Sequence, residues 1–436
     1  MKPINTYKPI KLLITFLIFF GLNNIPSYAE TMEAAVFKVV EKSPHIEALR
    51  YTTESSYQNY LFNKETGYST LDIYGGIGVE KNYDYLNTED EILDKFNAGI
   101  NFKCKLFDGY EQKFIVEQSK FKYHADYYQQ ILQEQNIVLD SIEKYLDVLR
   151  YHRLLEASEK HFEKMGLYTE QAKERLDNGV SNEIELDVSS RYLLKAEKVY
   201  LSAKNNFEDS IAEYKVLLGG VPDINTMTLG SAVDPKQIPQ NLDKAIAIAL
   251  SNHPVIRICN ENIKQAESEY RGSFSNNYPD VNLLMDAKWS RNMGNNTERD
   301  RDISVMFQVK HNLLGPETNY YHNKSLDSKV RKIKATCKQK EREVEQSIRL
   351  SYQALQATKK AANAAKLFEK TSVDILQKTN KRFVLGNISL EKILQLEVQH
   401  LESESTKTNF QYDGLFSLYR VLHATGLILN HFNLGI

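Results

Sequence analysis

The sequence predicts a mainly α-helical chain that carries four β-strands and is built twice on one plan. Three observations predict it. Long stretches repeat at an offset near 210 residues, four segments alternate apolar and polar side chains, and two stretches of roughly 65 residues contain no proline and almost no glycine. Shifted by 210, Ala35, Pro44, Ile46, Tyr68 and Ile73 fall on Ala245, Pro254, Ile256, Tyr278 and Leu283. Shifted by 207, Phe96, Ala98, Ile100, Phe102 and Leu106 fall on Ile303, Val305, Phe307, Val309 and Leu313, and Arg175 and Gly179 fall on Arg382 and Gly386. The offset changes inside the polar stretch 82–95, where loop length is cheap to alter. A period this long is no solenoid unit, which spans about 20–50 residues. It is a duplicated half-protein, 30–220 and 242–428, with a linker over 221–241 and a tail over 429–436. Pseudo-symmetry of this kind suits a tube or pore better than one asymmetric active site.

The first 29 residues read as a secretory signal peptide. Lys2, Lys8 and Lys11 precede the apolar run Leu12–Leu22, and Ser27-Tyr28-Ala29 makes a small-x-small cleavage site. The run is too short for a membrane-spanning helix, which needs about 20 apolar residues. No cysteine follows it, so no acylated N-terminus is expected.

Each half then opens with a helix, expected over 33–64 and 242–271. Strands follow. Leu71, Ile73, Ile77 and Val79 alternate with Asp72, Tyr74 and Glu80; Phe96 to Leu106 alternates without a break. In the second half Val281, Leu283, Met285, Ala287 and Trp289 alternate with Asn282, Asp286, Lys288 and Ser290, and Ile303, Val305, Phe307, Val309 and Leu313 with Ser304, Gln308, Lys310 and Asn312. Period two puts the apolar side chains on one face. Each strand is expected to run about 10–12 residues, enough to cross a bilayer when tilted. Polar loops over 82–95 and 291–301 would close the hairpins, about 69–106 and 279–313. The polar faces bear Lys103, Lys105, Asp286, Lys288 and Lys310 and need water, which makes them the candidate pore-facing residues. The other faces are apolar and end in Phe96 and Trp289, as lipid-facing strands do at an interface. A soluble sandwich with one wet face is the alternative. Four strands cannot close a barrel alone, and open edges are not tolerated in lipid, so a spanning barrel must be shared between subunits.

Long helices follow each hairpin, about 112–178 and 319–385, and at 1.5 Å per residue each is about 100 Å long. Final helices over 183–217 and 389–426 close the halves. A first and a final helix placed end to end match one long helix, so they can run alongside it. Apolar spacing is that of coiled coils, as in Ile137, Leu139, Ile142, Tyr145, Leu146, Val148 and Leu149. Between long and final helices, Arg175-Leu-Asp-Asn-Gly179 repeats as Arg382-Phe-Val-Leu-Gly386. Gly179 and Gly386 sit where a helix stops in the left-handed conformation, and Ser181 or Asn182, and Ser389, can cap the next helix.

Composition narrows the function. Apolar residues are 42% and charged residues 26% of the chain, and the net charge is −2, so no nucleic-acid partner is expected. The basic run Lys329, Arg331, Lys332, Lys334, Lys338, Lys340, Arg342 is diluted by Glu341 and Glu343 and reads as a solvated helix face. Three cysteines, Cys104, Cys259 and Cys337, do not make a disulfide framework. No histidine pair flanks a glutamate, and there is no phosphate-cradling glycine loop or nucleophile elbow. No enzyme, cofactor or metal site is expected.

Taken together, the Ser43-Pro44 and Asn252-His253-Pro254 helix openings, the paired hairpins and the two helix–glycine–helix turns resemble the TolC family of outer-membrane efflux and secretion ducts, over essentially the whole mature chain. The resemblance implies a homotrimer in the outer membrane of a Gram-negative bacterium. Each subunit would give four strands to a twelve-stranded barrel, and the helices would form a long α-helical barrel projecting into the periplasm. Its far end would open when a periplasmic adaptor and an inner-membrane transporter, ABC-type or proton-driven, dock. In the best-known member, acidic residues six and nine positions after the second turn glycine ring the entrance. Here those positions are Lys392 and Gln395, while the first-half acid is kept as Glu185; Ile388 stands where that member has a basic residue, and Glu391 and Glu397 are the nearby acids. Glu185, Lys392, Gln395 and Glu391 are therefore the candidate gate residues. The absent lipid-anchor cysteine leans toward secretion or a multi-purpose duct over dedicated drug efflux. A periplasmic coiled-coil adaptor or scaffold without a barrel is the alternative function, though adaptors carry one helical hairpin and this chain carries two.

Overall fold

The computed structural model describes residues 31–67, 69–82, 91–229, 233, 238–239, 241–293, 296–312 and 316–434. The leader expected over 1–29, and Leu313, lie outside them. Two short helices, α1 (Met32–Lys42) and α2 (Pro44–Glu65), lead into strands β1 (Ser69–Asn82) and β2 (Glu91–Asp108), then α3 (Glu111–Asp177) and α4 (Glu183–Leu218). The second half repeats the order with α5 (Leu242–Asn252), α6 (Pro254–Gly272), β3 (Asp280–Met293), β4 (Asn296–Lys310), α7 (Pro316–Val384) and α8 (Leu390–Ala424), and ends in a turn of helix, α9 (Ile428–His431).

Three features differ from the sequence-based expectation. The opening helix of each half is two helices, not one. A proline disfavours helical backbone in the residue before it, and Ser43 (φ −68°, ψ 122°) and His253 (φ −60°, ψ 131°) are extended. The polar stretches 91–95 and 291–293 with 296–301 are strand, not loop, so the strands run 14, 18, 14 and 15 residues. The ladder is a backbone property, and polar side chains do not end it where both faces can meet water. The segment expected as a tail carries most of α9. Leu429 and Phe432 are buried, and the Phe432 ring stacks on Tyr419.

The strands form one antiparallel sheet in the order β1-β2-β3-β4, so the two repeats join through the β2–β3 pair. At the other pole the helices change partners along their length. α2 runs against the first part of α3, where Thr53 bonds Gln130 (2.9 Å) and Ser56 bonds Asp126. α4 takes over further on, with Lys144 against Glu213 at 2.6 Å. α6 lies between the two long helices: His124 of α3 sits 3.3 Å from Glu261, and Lys329 and Lys334 of α7 reach Glu269 and Glu267 at 2.6 Å. Four of the seven basic residues of the run on α7, Lys329, Arg331, Lys334 and Lys340, thus pair with acids.

Two of the three cores sit where the partners change. One gathers α1 (Val36, Val39), the middle of α3 (Ile142, Tyr145), the end of α4 (Tyr214) and the chain end (Ile428, Phe432). The linker threads through it: the Tyr145 hydroxyl donates to the Thr228 carbonyl at 2.6 Å and accepts from its amide at 3.0 Å. A second joins α5, α6, Ile348 of α7 and Val421 of α8. A third, with Met165, Ala196, Leu390 and Leu394, lies near the helical turns at the opposite end from the sheet.

Between the first two cores lie a buried histidine, His253, and a half-buried one, His423. His253 Nδ1 accepts from the Val255 amide at 3.3 Å, and His423 Nε2 meets Asn136 Oδ1 at 2.9 Å. Burial pushes both down to about 4, helped by His423 beside His253 and by Arg420 near His423. Above an ordinary histidine pKa near 6.5 both are neutral, folded or unfolded. As pH falls below it, the unfolded chain takes up the protons and the folded chain does not until about pH 4. At ~1.4 kcal/mol per unit, each histidine removes about 3 kcal/mol of stability across that window. The thermal unfolding midpoint is expected to fall steeply between pH 6.5 and 4 and less steeply in His423→Gln. Parallel profiles would contradict this assignment.

Candidate functional site

No group of three or more His, Cys, Asp or Glu side chains among the described residues is placed to hold a metal ion, and no described helix is long and apolar enough to cross a membrane. The candidate functional surface is the sheet's two faces and the helical tips.

Register sorts the strand side chains. Ile73, Ile100, Ala287 and Ile303 stand side by side on one rung, and Leu71, Phe102, Met285 and Val305 on the next. Leu283 and Phe307 continue the same face. Much of it is open in the single chain, with Ile77 87%, Ile303 83% and Phe307 64% exposed. A continuous apolar field of this size marks a surface meant to be covered. Aromatics close it at both ends. Trp289 and Phe96 lie toward the hairpin turns, and Phe107, Tyr110 and Tyr278 meet edge-to-face at the joint with the helices, centroids 5.4–6.5 Å apart.

Lys103, Lys105, Asp286, Lys288 and Lys310 all lie on the opposite face. Asn101 donates to Asp286 at 2.7 Å, Lys288 stands across from Asp302, and Lys310 across from Asp280. Two features escaped the pattern reading. A bulge between Lys105 and Phe107 breaks the alternation, so Phe107 rather than Leu106 pairs with Val281 on the apolar face. Leu284 and Met306 pair on the polar face beside Lys103. Cys104 falls on the apolar face; Cys259 and Cys337 are buried between α6 and α7, and the Cys259 thiol is pushed up to about 12 by burial and the neighbouring Cys337.

The helical tips are a matched pair of turns. Gly179 (φ 75°) and Gly386 (φ 77°) are left-handed, and Val180 N–H to Arg175 C=O (2.8 Å) and Asn387 N–H to Arg382 C=O (3.0 Å) close each helix with the same six-residue loop. Of the two caps open for α4, Asn182 is the one used, accepting from the Glu185 amide at 3.1 Å. Ser389 holds the cap position of α8, but its hydroxyl makes no capping bond.

The gate candidates do not share one environment. Glu185 lies 3.4 Å from Arg175 of its own hairpin. Glu391 and Lys392 are exposed in the first turns of α8. Gln395 lines an open groove of about 1010 Å³ between α4 and α8, with Tyr192, Lys195 and Glu402. Glu397 is no free entrance acid. It is 2% exposed, held by Lys164 at 3.2 Å and by the Tyr168 hydroxyl at 3.3 Å, and ties α3 of the first half to α8 of the second. Burial and this carboxylate push Tyr168 up to about 12.

No family model matches the sequence. The outer membrane efflux protein BepC of Brucella suis biovar 1 (strain 1330) is 26% identical over 159 residues, 36% of this chain and 34% of that protein. The match thus spans about a third of the curated relative's length. Solved structures match far more of the chain. The Campylobacter jejuni CmeC outer membrane channel superposes with a TM-score of 0.80 at 14% identity, over 91% of this chain and 86% of that one. The open state of the Neisseria gonorrhoeae MtrE outer membrane channel gives 0.76 at 12% identity, over 98% of both. CusC gives 0.78 at 12%, over 90% and 91%. This chain has the fold of those outer-membrane channels.

Proposed function

We propose that this protein is the outer-membrane duct of a tripartite export system, a non-enzymatic homotrimer that passes substrate from an inner-membrane transporter and a periplasmic adaptor to the outside. The observation that carries the reading is a four-stranded sheet with free edges at β1 and β4, one apolar face and one charged face, at one end of helices 67 and 69 residues long. Three copies supply twelve strands and leave no edge. From Val281 to Trp289 the strand rises about 27 Å, or about 19–22 Å at a 35–45° tilt, close to the ~25 Å apolar band of outer-membrane barrels. The charged face then lines a wet pore with Lys103, Lys105, Asp286, Lys288 and Lys310. The helices, about 100 Å long, carry the tube across the periplasm. The matched BepC is named as an efflux protein, which supports export; cargo is chosen by the transporter, as small molecules or as unfolded protein in type I secretion.

The strand faces give the direct test. A charge on the lipid side at the bilayer midplane costs about 2–4 kcal/mol per subunit. Phe102→Lys is expected to abolish trimer assembly in the outer membrane, whereas Lys103→Glu assembles and changes conductance and ion selectivity. Equal tolerance at the two positions would contradict a transmembrane sheet.

Closure is assigned to the tips. Around a threefold axis the two kinds of hairpin alternate, which brings Lys392 of one beside the Arg175–Glu185 pair of the next; Glu391 and Gln395 lie on the same stretch of α8. Single exposed pairs contribute only about 0–1 kcal/mol, so the ring holds through all of them together. Lys392→Glu is expected to raise resting conductance in planar bilayers, and adding Glu185→Lys to restore closure in part. Unchanged conductance in Lys392→Glu would remove these residues from the gate.

A further inference from the structure

Beyond Trp289 the apolar face does not fade into neutral polar residues. It turns strongly basic. On the rung next to the hairpin turns, Arg291 stands across from Phe96 on one side and from Arg299 on the other; on the rung below, Trp289 stands across from Arg301. All three arginines are therefore on the apolar face, and all are exposed. Like charges placed directly across an antiparallel pair repel. Only Arg291 has an acid within reach, Asp94 at 3.7 Å, and that carboxylate is 73% exposed. Among the described residues Arg299 and Arg301 have no ion-pair partner. Asp300 and Asp302 point to the other face by period two.

These side chains and the neighbouring apolar ones enclose a recess of about 540 Å³, lined by Ile77, Asp94, Phe96, Trp289 and the arginines. Directly below it is the aliphatic rung Ile73, Ile100, Ala287 and Ile303. The order along the face is guanidinium, indole, aliphatic. It matches an amphiphile with anionic oxygens at its head and acyl chains beneath. The positions matching Arg291, Arg299 and Arg301 in the first repeat are Lys81, Ile92 and Asp94, so the cluster belongs to the second repeat alone and occurs once per subunit.

We propose that Arg291, Arg299 and Arg301 bind the phosphate groups of a phosphorylated glycolipid of the outer leaflet, with its acyl chains on the aliphatic rung. Arginine suits the task, since its planar fork pairs with phosphate bidentately and stays charged at any physiological pH. The bound phosphate also supplies the counter-charge that Arg299 and Arg301 lack among the described residues. The site rests on the barrel reading above, because only that reading puts this face in lipid and the hairpin turns at the outer surface.

Trp289 is the only tryptophan in the chain and sits beside Arg301, so its fluorescence reports this site. The detergent-solubilised full-length protein is titrated, in EDTA, with diphosphoryl lipid A, with the same lipid stripped of phosphate, and with phosphatidylglycerol, all in mixed micelles. A saturable change is expected with diphosphoryl lipid A, at least tenfold weaker with the other two. Arg299→Gln/Arg301→Gln is expected to weaken it at least tenfold, and Arg299→Lys/Arg301→Lys to recover part of the loss. An equal response to the stripped lipid or to phosphatidylglycerol, or an unchanged response in the glutamine variant, overturns the proposal. Conductance of the same preparations in planar bilayers separates the two readings. A conducting trimer without the lipid response sinks this site alone, whereas a wild type that neither assembles nor conducts sinks the duct.

Discussion

The two edges of one small sheet constrain everything else in this molecule. β1 and β4 each present a row of backbone N–H and C=O groups with no strand partner among the described residues. In water such edges invite aggregation; in lipid each unpaired group costs several kcal/mol. The apolar face that the same strands expose cannot stay in water either. Both demands are met together only when the sheet closes on further copies of itself inside a bilayer. On the duct reading proposed above, trimerisation is a condition of the fold, and the charged face becomes a channel wall because the lipid takes the other side.

The helices inherit that geometry. The β2–β3 pair fixes the two halves side by side, so α3 and α7 leave the sheet as neighbours with α6 between them. Each must then be accompanied along its whole length. Prolines 44 and 254 set the points where accompanying helices bend away, and the largest core forms there, with Tyr145, Tyr214 and Tyr412 fully buried. The linker and the chain end fill the same region, where Met227 and Phe432 are buried. Toward the tips the packing thins. There the halves are tied by Met165, Leu390 and Leu394 and by the Lys164–Glu397–Tyr168 contact, small enough to be undone and remade. On the duct reading proposed above, a well-packed belt with a lightly tied tip is the mechanical arrangement a gated tube requires.

Much of this is legible in the sequence because period and repetition are local signals. The alternation from Phe96 to Cys104 and from Ile303 to Val309 fixes the faces without knowledge of any partner strand, and the paired glycines 179 and 386 fix both turns. What is not legible depends on long-range pairing. The bulge at Lys105–Phe107 exists because β2 must pair with β3 from the other half. The strand ends extend into polar sequence because a paired neighbour holds them. Glu397 looks like any surface acid until Lys164 and Tyr168, more than two hundred residues away, close over it. The three arginines beyond Trp289 look like a polar loop until register puts them on the apolar face. The breaks before Pro44 and Pro254 were readable from proline alone, but hydrophobic periodicity runs through them and hides them.

The central claim is that β4 of one copy pairs with β1 of the next until three copies close. Paired cysteines at these two edges test it directly, with Leu71→Cys or Ile73→Cys on β1 combined with Val305→Cys or Phe307→Cys on β4, in a chain whose Cys104, Cys259 and Cys337 are replaced by serine. Oxidation of the membrane-inserted protein is predicted to give, for the pair in register, a covalent ladder that ends at a trimer on denaturing gels. Absence of any cross-linked species for all pairs, or a ladder that runs on past three, would contradict the closed shared barrel.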